Sequence, residues 1–98
     1  MATQRGKGKR EKRVVLGEDL RIGHARETFE SLAAIAPKAT VVIDASAVSR
    51  VDAAGLQALA ACLVQWSTAG TVWRWDNPAH ALSAAARTAG LATVLGLE

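Results

Sequence analysis

T-V-V-I-D-A-S-A-V-S-R-V-D-A-A-G-L-Q, residues 40–57, is the part of the chain from which its architecture can be read. It opens on a β-branched run that ends at Asp44, a pattern typical of a strand buried on both faces of a largely parallel sheet. Asp52 then precedes a helix predicted over residues 55–69 and is expected to cap its start. Four apolar residues of that helix recur at spacings of three and four and form one stripe: Leu56, Leu59, Leu63 and Trp66.

Upstream of this stretch, the chain shows a short hairpin pattern followed by a helical pattern. Residues 14–16 and 20–22 are apolar runs separated by Gly-Glu-Asp, which predicts two paired strands joined by a turn. Residues 24–36 carry apolar side chains near helical spacing, and Pro37 disfavours helix in the residue before it. The alternation of strands and helices predicts an α/β domain.

Downstream, the alternation continues to the end of the chain. Residues 71–75 are the next predicted strand. Asn77 and Pro78 are expected to serve as N-cap and first residue of a helix that runs to Gly90. Residues 91–97 carry three leucines and are predicted to close the core.

Length and charge indicate one small domain with a basic N-terminal arm. The 98 residues are 50% apolar and 21% charged, which fits a single globular core. Residues 1–13 contain six basic residues and one acidic residue and carry a net charge of +5, so the remaining 85 residues carry −2 of the total of +3. Such an arm could neutralise phosphates, but with almost no apolar residue it is predicted to be a mobile, solvated segment. The domain is therefore expected to span residues 14–98, without specific nucleic-acid binding.

Cysteine usage and hydropathy exclude several classes of protein. Cys62 is the only cysteine, so no intramolecular disulfide and no cysteine-based metal site are expected. The longest uncharged stretch, residues 53–73, holds several polar residues and makes a poor bilayer span. No apolar stretch follows the basic N-terminus, so no secretory signal is expected, and the predicted location is the cytoplasm.

The side chains that most often carry chemistry have ordinary structural interpretations here. The sequence contains no P-loop, no G-x-G-x-x-G and no G-x-S-x-G. His24 and His80 fall in different predicted helices and are expected to be surface residues, while Cys62 lies beside the leucine stripe as a small core residue. Trp73 and Trp75 share one face of their strand, which predicts packing beneath a helix in preference to a base-stacking platform or a membrane anchor.

Asp44 and Asp52 are the carboxylates with the most distinctive context, because the loop of residues 45–51 joins them. They could form an acid/base pair, although only Arg50 accompanies them. The preferred interpretation is that Asp44 orders loop amides and Asp52 caps the following helix. We therefore expect no enzymatic activity, no cofactor and no metal.

Residues 40–57 closely resemble the signature of the STAS domain, the fold shared by bacterial anti-sigma factor antagonists and the cytoplasmic tails of sulfate transporters. The family pattern is an apolar strand ending in D-x-S, a gap, then an apolar residue with D-[ST]-[STAG]-G-L and a leucine-rich helix. Residues 14–97 fit the family's order of elements. The resemblance implies a small mixed sheet of about four strands with three to four helices.

The resemblance also implies a site and shows where this chain departs from the family. The hydroxyl that a partner kinase phosphorylates in the antagonists corresponds to Ala54, and the residue before it, often serine or threonine, is Ala53. Ser46 matches the serine of D-x-S and is expected to support the loop by hydrogen bonding. The implied partner-binding residues are Asp44, Ser46, Ser49, Arg50, Asp52, Ala53, Ala54, Gly55 and Leu56.

By resemblance, the chain is expected to be a protein-interaction module, a monomer or weak homodimer without membrane insertion. Its partner would be an anti-sigma kinase or another protein of bacterial signalling and transcription regulation, including chemotaxis. The alternative is a regulatory subunit bound to the ATPase of an ABC-type lipid transporter, whose STAS member carries a stretch similar to V-S-R-V-D here, although Ala53 replaces its threonine. A weaker alternative is a small-molecule or nucleotide binder.

Overall fold

The computed structural model describes residues 11–97, which form three strands and four helices in alternating order. The elements are β1 (Glu11–Val15), α1 (Arg26–Ala33), β2 (Thr40–Asp44), α2 (Ala53–Thr68), β3 (Val72–Asp76), α3 (His80–Thr88) and α4 (Ala92–Leu95). Within the described residues, the strands form one parallel sheet in the order β1, β2, β3. The predicted α/β class is confirmed.

The central strand and the long helix after it agree with the prediction. Val41, Val42 and Ile43 of β2 are buried, so the strand is covered on both faces. Asp52 is the N-cap of α2, and the predicted stripe of that helix is buried. Beyond the C-cap, Gly70 takes a φ of +79°, the left-handed conformation that glycine adopts at little cost.

The predicted hairpin is wrong. β1 pairs in parallel with β2, with Val14 opposite Ile43, and residues 20–22 form no strand. Leu16 and Leu20 are nevertheless both buried, because the segment between β1 and α1 inserts these side chains into the core. The apolar residues on either side of Gly-Glu-Asp are therefore explained by a loop that packs into the core, and not by two paired strands. Without the hairpin, the described part of the sheet is parallel and not mixed.

The predicted boundary of the basic arm also needs correction. Residues 1–10 lie outside the described residues. Residues 11–13 were assigned to the arm but belong to β1, where Glu11 pairs with Thr40 and Arg13 with Val42. Backbone pairing with a buried strand orders these charged residues although their side chains are exposed.

Two helices begin or end at other residues than expected. α1 is shorter than residues 24–36, because the chain turns at Ala34 before it reaches Pro37. α3 begins at His80, two residues after Pro78, with Ala79 as N-cap. Asn77 takes a φ of +56° and makes the turn out of β3, so it does not cap the helix. The N–H of Ala79 donates to the carbonyl of Ala45 (3.1 Å), which brings the start of α3 against the end of β2.

The core lies on the sheet face that carries Val41 and Ile43, beneath the helices. Trp73 and Trp75 point into this layer, and both indole N–H groups donate to the carbonyl of Leu95 in α4. The rings of Trp66 and Trp73 meet edge to face, with centroids 6.1 Å apart. The tryptophans of β3 thus pack beneath a helix, as predicted, and residues 91–97 close the core through buried Leu95 and Leu97. Among the described residues, no helix is both long and apolar enough to cross a bilayer.

Candidate functional site

The residues picked out by the sequence lie on the loop between β2 and α2 and on the first turn of α2. Asp44 begins this region at the end of β2 and organises it. Its Oδ1 accepts hydrogen bonds from the backbone N–H (3.0 Å) and the hydroxyl (2.8 Å) of Ser46. These bonds, and then the guanidinium of Arg13, lower the pKa of the Asp44 carboxyl. The loop-ordering roles predicted for Asp44 and Ser46 are confirmed.

Arg13, in the middle of β1, links the carboxyl ends of β2 and β3 on the outer face of the sheet, the face opposite the core. Its guanidinium contacts Asp44 of β2 at 3.0 Å and Asp76 of β3 at 2.7 Å. The bond to Asp76 and then the bond to Asp44 raise the pKa of Arg13. One cation therefore serves two carboxylates, and the cluster keeps an excess negative charge.

The middle of the loop rests on the segment between β1 and α1. The carbonyl of Glu18 accepts the N–H groups of Ser49 and Arg50, both at 2.9 Å, and the carbonyl of Arg50 accepts the N–H of Leu20 at 2.7 Å. Asp19 in turn binds Arg21 through both carboxylate oxygens, which lowers the pKa of Asp19. The loop is therefore held by backbone hydrogen bonds along its length.

Asp52 fixes the end of the loop and the start of α2 together. Its Oδ1 accepts the N–H of Gly55 at 2.7 Å, the capping bond that was predicted, and also the N–H of Ile22 at 3.1 Å. The second bond joins the helix start to the segment before α1. Asp44 and Asp52 therefore have separate hydrogen-bond partners, and each accepts hydrogen bonds from backbone N–H groups.

The loop presents a set of exposed side chains, which we call the loop surface: Ser46, Ser49, Arg50, Ala53 and Ala54. Arg50 is its only charged member. Ala53 and Ala54 stand in the first turn of α2, beside the helix N–H groups that the cap leaves free. The loop surface thus combines two alanine methyl groups, two hydroxyls and one guanidinium on a backbone that is held by hydrogen bonds.

A family model described as "Mlab, STAS domain" matches residues 3–97, nearly the whole chain. The chain belongs to the STAS domain family. No curated protein matches it. Membership supports the general expectation of a regulatory module that acts by binding another protein.

The D-x-S and D-A-A-G-L elements of this STAS domain can now be assigned their physical roles. Asp44 and Ser46 order the loop, and Asp52 caps α2. Ala53 and Ala54 are exposed in the first turn of α2 and carry no hydroxyl.

Two of the residues predicted to bind a partner are not at the surface of the STAS domain. Leu56 is buried in the core, and Gly55 is buried against the carbonyl of Leu20. Their backbone and packing shape the loop surface from below. For the other seven residues, partner binding stays a prediction.

The sequence missed the part that residues 18–23 play at this site. Ile22, 46% exposed, follows the segment that carries the loop and lies beside the start of α2. It leads into a shallow groove between α1 and α2, lined by Ile22, Gly23, Arg26, Phe29, Glu30, Ala33 and Ala58. Ala58 lies one helical turn after Ala54, so the groove continues the loop surface. The sequence feature that could have indicated this role is the apolar run Leu20–Ile22. It was interpreted as a strand of a hairpin, so its role at the site was not recognised.

The histidines, the cysteine and the acidic residues of the described part of the chain were also compared with metal-binding and nucleophilic sites. Among residues 11–97, no group of three or more His, Cys, Asp or Glu side chains is placed to hold a metal ion. His24 and His80 are both exposed, as predicted. Cys62 is half-buried, and burial raises the pKa of its thiol, which disfavours the reactive thiolate.

Proposed function

We propose that this STAS domain is a non-catalytic protein-interaction module of bacterial signalling or regulation, and that its loop surface is the docking site. The observation that carries the proposal is the exposed Ala53 and Ala54 pair at the start of a capped helix. A partner can cover these two methyl groups without loss of a polar contact, provided that it offers an acceptor to the helix N–H groups beside them.

The order of the loop supports docking there. Asp44 and Ser46 hold one end, Glu18 holds the middle, and Asp52 holds the other end. A loop already held in one conformation loses little conformational entropy when a partner binds. The neighbouring groove between α1 and α2 extends the apolar area that a partner could cover.

The proposed partner is an anti-sigma kinase or another cytoplasmic signalling protein. In the antagonists that the chain resembles, phosphorylation at this helix start weakens partner binding. Ala54 has no hydroxyl, so this protein would hold the binding-competent state at all times. Binding would therefore not respond to ATP through this position.

The absence of catalysis is part of the proposal. Asp44 is engaged with the N–H and hydroxyl of Ser46 and with Arg13, and Asp52 with backbone N–H groups, so both carboxylates already have structural hydrogen-bond partners. The protein would act by occupying its partner. A partner-independent turnover that disappears in Asp52→Ala would contradict this.

The test begins with affinity capture by the full chain, identification of the captured protein and titration of that purified protein by calorimetry. Ala54→Glu places a charge on the loop surface and is expected to weaken binding at least about tenfold, roughly 1.4 kcal/mol. The fold should survive, because a carboxylate in the first turn suits the helix dipole. Ala54→Ser should bind almost as the parent does.

Gln65→Glu is the matched control, because it adds the same charge to an exposed position of α2. It lies 11 residues further along, about 16 Å from Ala54. The proposal requires that Gln65→Glu bind like the parent while Ala54→Glu does not. Equal binding by all variants, with circular dichroism showing each folded, would place the contact elsewhere.

A second candidate is a regulatory subunit of an ABC-type lipid transporter. The resemblance of V-S-R-V-D, residues 48–52, to the STAS member of such a transporter favours it, and the matched family description names Mlab. Ala53 in place of threonine argues against it. The identity of the captured protein separates the candidates, since a transporter ATPase supports the second and a signalling kinase the first.

A further inference from the structure

The free edge of β3 carries backbone groups that no described residue pairs with. On its other side, β3 pairs with β2, and the N–H of Val72 donates to the carbonyl of Ala39 at 3.0 Å. Successive residues of a strand direct their N–H and C=O groups to alternate sides, so those of Trp73 and Trp75 point to the open edge. This edge is a template for one more strand.

β3 carries fewer charged residues than the other outer strand, two against three. β1, the other outer strand of the described sheet, begins Glu-Lys-Arg, and charged residues of this kind discourage pairing with another chain. β3 instead exposes Val72 by 58% of its surface, next to a groove of about 770 Å³. Val94 of α4 lines the same groove and is also exposed.

β3 carries one positive and one negative side chain near this edge, so two copies of the strand can match opposite charges. Asp76 shares the single cation of Arg13 with Asp44, which leaves one negative charge in excess. Arg74 is highly exposed, and its contact with Glu11 is long, at 3.7 Å. Arg74 and Asp76 lie two residues apart and therefore on the same face of β3. A second copy of this strand, running antiparallel, can supply an arginine to each acidic cluster.

We propose that two copies of this chain pair antiparallel through β3, joining their sheets into one. Trp75 lies opposite Trp75 of the second copy as a hydrogen-bonded pair, which uses the outward N–H and C=O groups. Arg74 of each copy then lies opposite Asp76 of the other, in the closer non-hydrogen-bonded position. A register shifted by one residue per strand would place Arg74 opposite Arg74 of the second copy. Like charges directly opposite each other destabilise strand pairing.

The same register accounts for the exposed apolar residues of the edge. Val72 lies two residues before Arg74 and falls beside the turn that begins at Asn77 of the second copy. The twofold axis of an antiparallel pair is perpendicular to the sheet, so both helix layers lie on the same side, and the groove with Val94 of each copy faces the junction. This interface uses other residues than the loop surface and does not depend on the proposed function.

The first test measures the oligomeric state of the full chain by sedimentation equilibrium over a range of concentrations. The parent is expected to show a reversible monomer–dimer equilibrium. Val72→Lys should raise the dissociation constant at least about tenfold, because an edge lysine opposes strand pairing. Val15→Lys is the matched control, since Val15 is 66% exposed on the same sheet face of β1, and it should leave the constant unchanged.

A charge exchange tests the register. Arg74→Asp and Asp76→Arg should each weaken the dimer at least about tenfold, and the double variant should restore the parent constant to within about threefold. Circular dichroism confirms that each variant is folded. A monomeric parent, a dimer indifferent to Val72→Lys, or a double variant as weak as the single ones would overturn the proposal.

Discussion

The carbonyl oxygen of Leu20 lies against Gly55 in the space that a side chain at position 55 would need. A Cβ built there would overlap that oxygen and would also approach Asp52 Oδ1 to 2.9 Å. The segment before α1 and the first turn of α2 are thus in backbone contact. The glycine of the D-A-A-G-L motif is required by this close approach, and the contact supports the loop surface from beneath.

Gly55→Ala is expected to destabilise the protein by about 3 kcal/mol, because the added methyl group meets backbone on a segment fixed by other hydrogen bonds. Gly23→Ala is the control, since a Cβ there meets nothing within 4 Å, and it should change stability by less than about 0.5 kcal/mol. Urea unfolding followed by circular dichroism measures both. Equal midpoints for the two variants would mean that Leu20 can move away from α2.

Trp66 ends the buried stripe of α2 and is only 4% exposed. Trp66→Ala should cost about 3 to 5 kcal/mol, the range for large aromatic truncations. Trp66→Phe keeps an aromatic ring but removes the N–H that donates to the Leu32 carbonyl at 3.0 Å, so it should cost less, about 1 to 3 kcal/mol. If Trp66→Ala melted like the parent, the packing of this helix face would be wrong.

The parts of the fold that could be predicted from sequence are those with strong local periodicity. The β-branched run of β2 and the stripe of α2 each determine which face is buried without reference to the rest of the chain. The Asp52 cap was predictable for the same reason, because its hydrogen bond spans three residues. The roles of Asp44 and Ser46 likewise come from neighbours in sequence.

What could not be predicted depends on distant partners. Residues 11–13 look like part of a solvated arm until they pair with β2, and Leu20 looks like a strand residue until the loop inserts it into the core. The Arg13 cluster joins residues up to 63 positions apart in sequence, and no local pattern marks it. The bond from Ile22 to Asp52 is equally remote.

The placement of residues 11–13 in β1 predicts a difference between two truncations. Removal of residues 1–13 deletes three strand residues and the guanidinium that joins Asp44 to Asp76, whereas removal of residues 1–10 keeps both. The longer truncation should therefore unfold at a clearly lower temperature than the shorter one. Thermal melts of both truncated chains make the comparison, and coincident melts would show that these residues add no stability.

Asp44 predicts a specific loss of stability in acid. Its pKa is lowered in the folded protein by Ser46 and Arg13, so the ionised carboxyl stabilises the fold at pH values above the unfolded pKa of about 3.9. That contribution is lost as the pH falls from there through the lower folded pKa.

Asp44→Asn keeps the side-chain shape without the charge, so the parent should exceed it in unfolding free energy near neutral pH. The two free energies should converge as the pH falls below about 4, while other acidic residues such as Asp19 titrate alike in both proteins and cancel. Urea titrations at a series of pH values give the difference, and a difference that stays constant into the acid range would mean that the charge of Asp44 does not hold the loop.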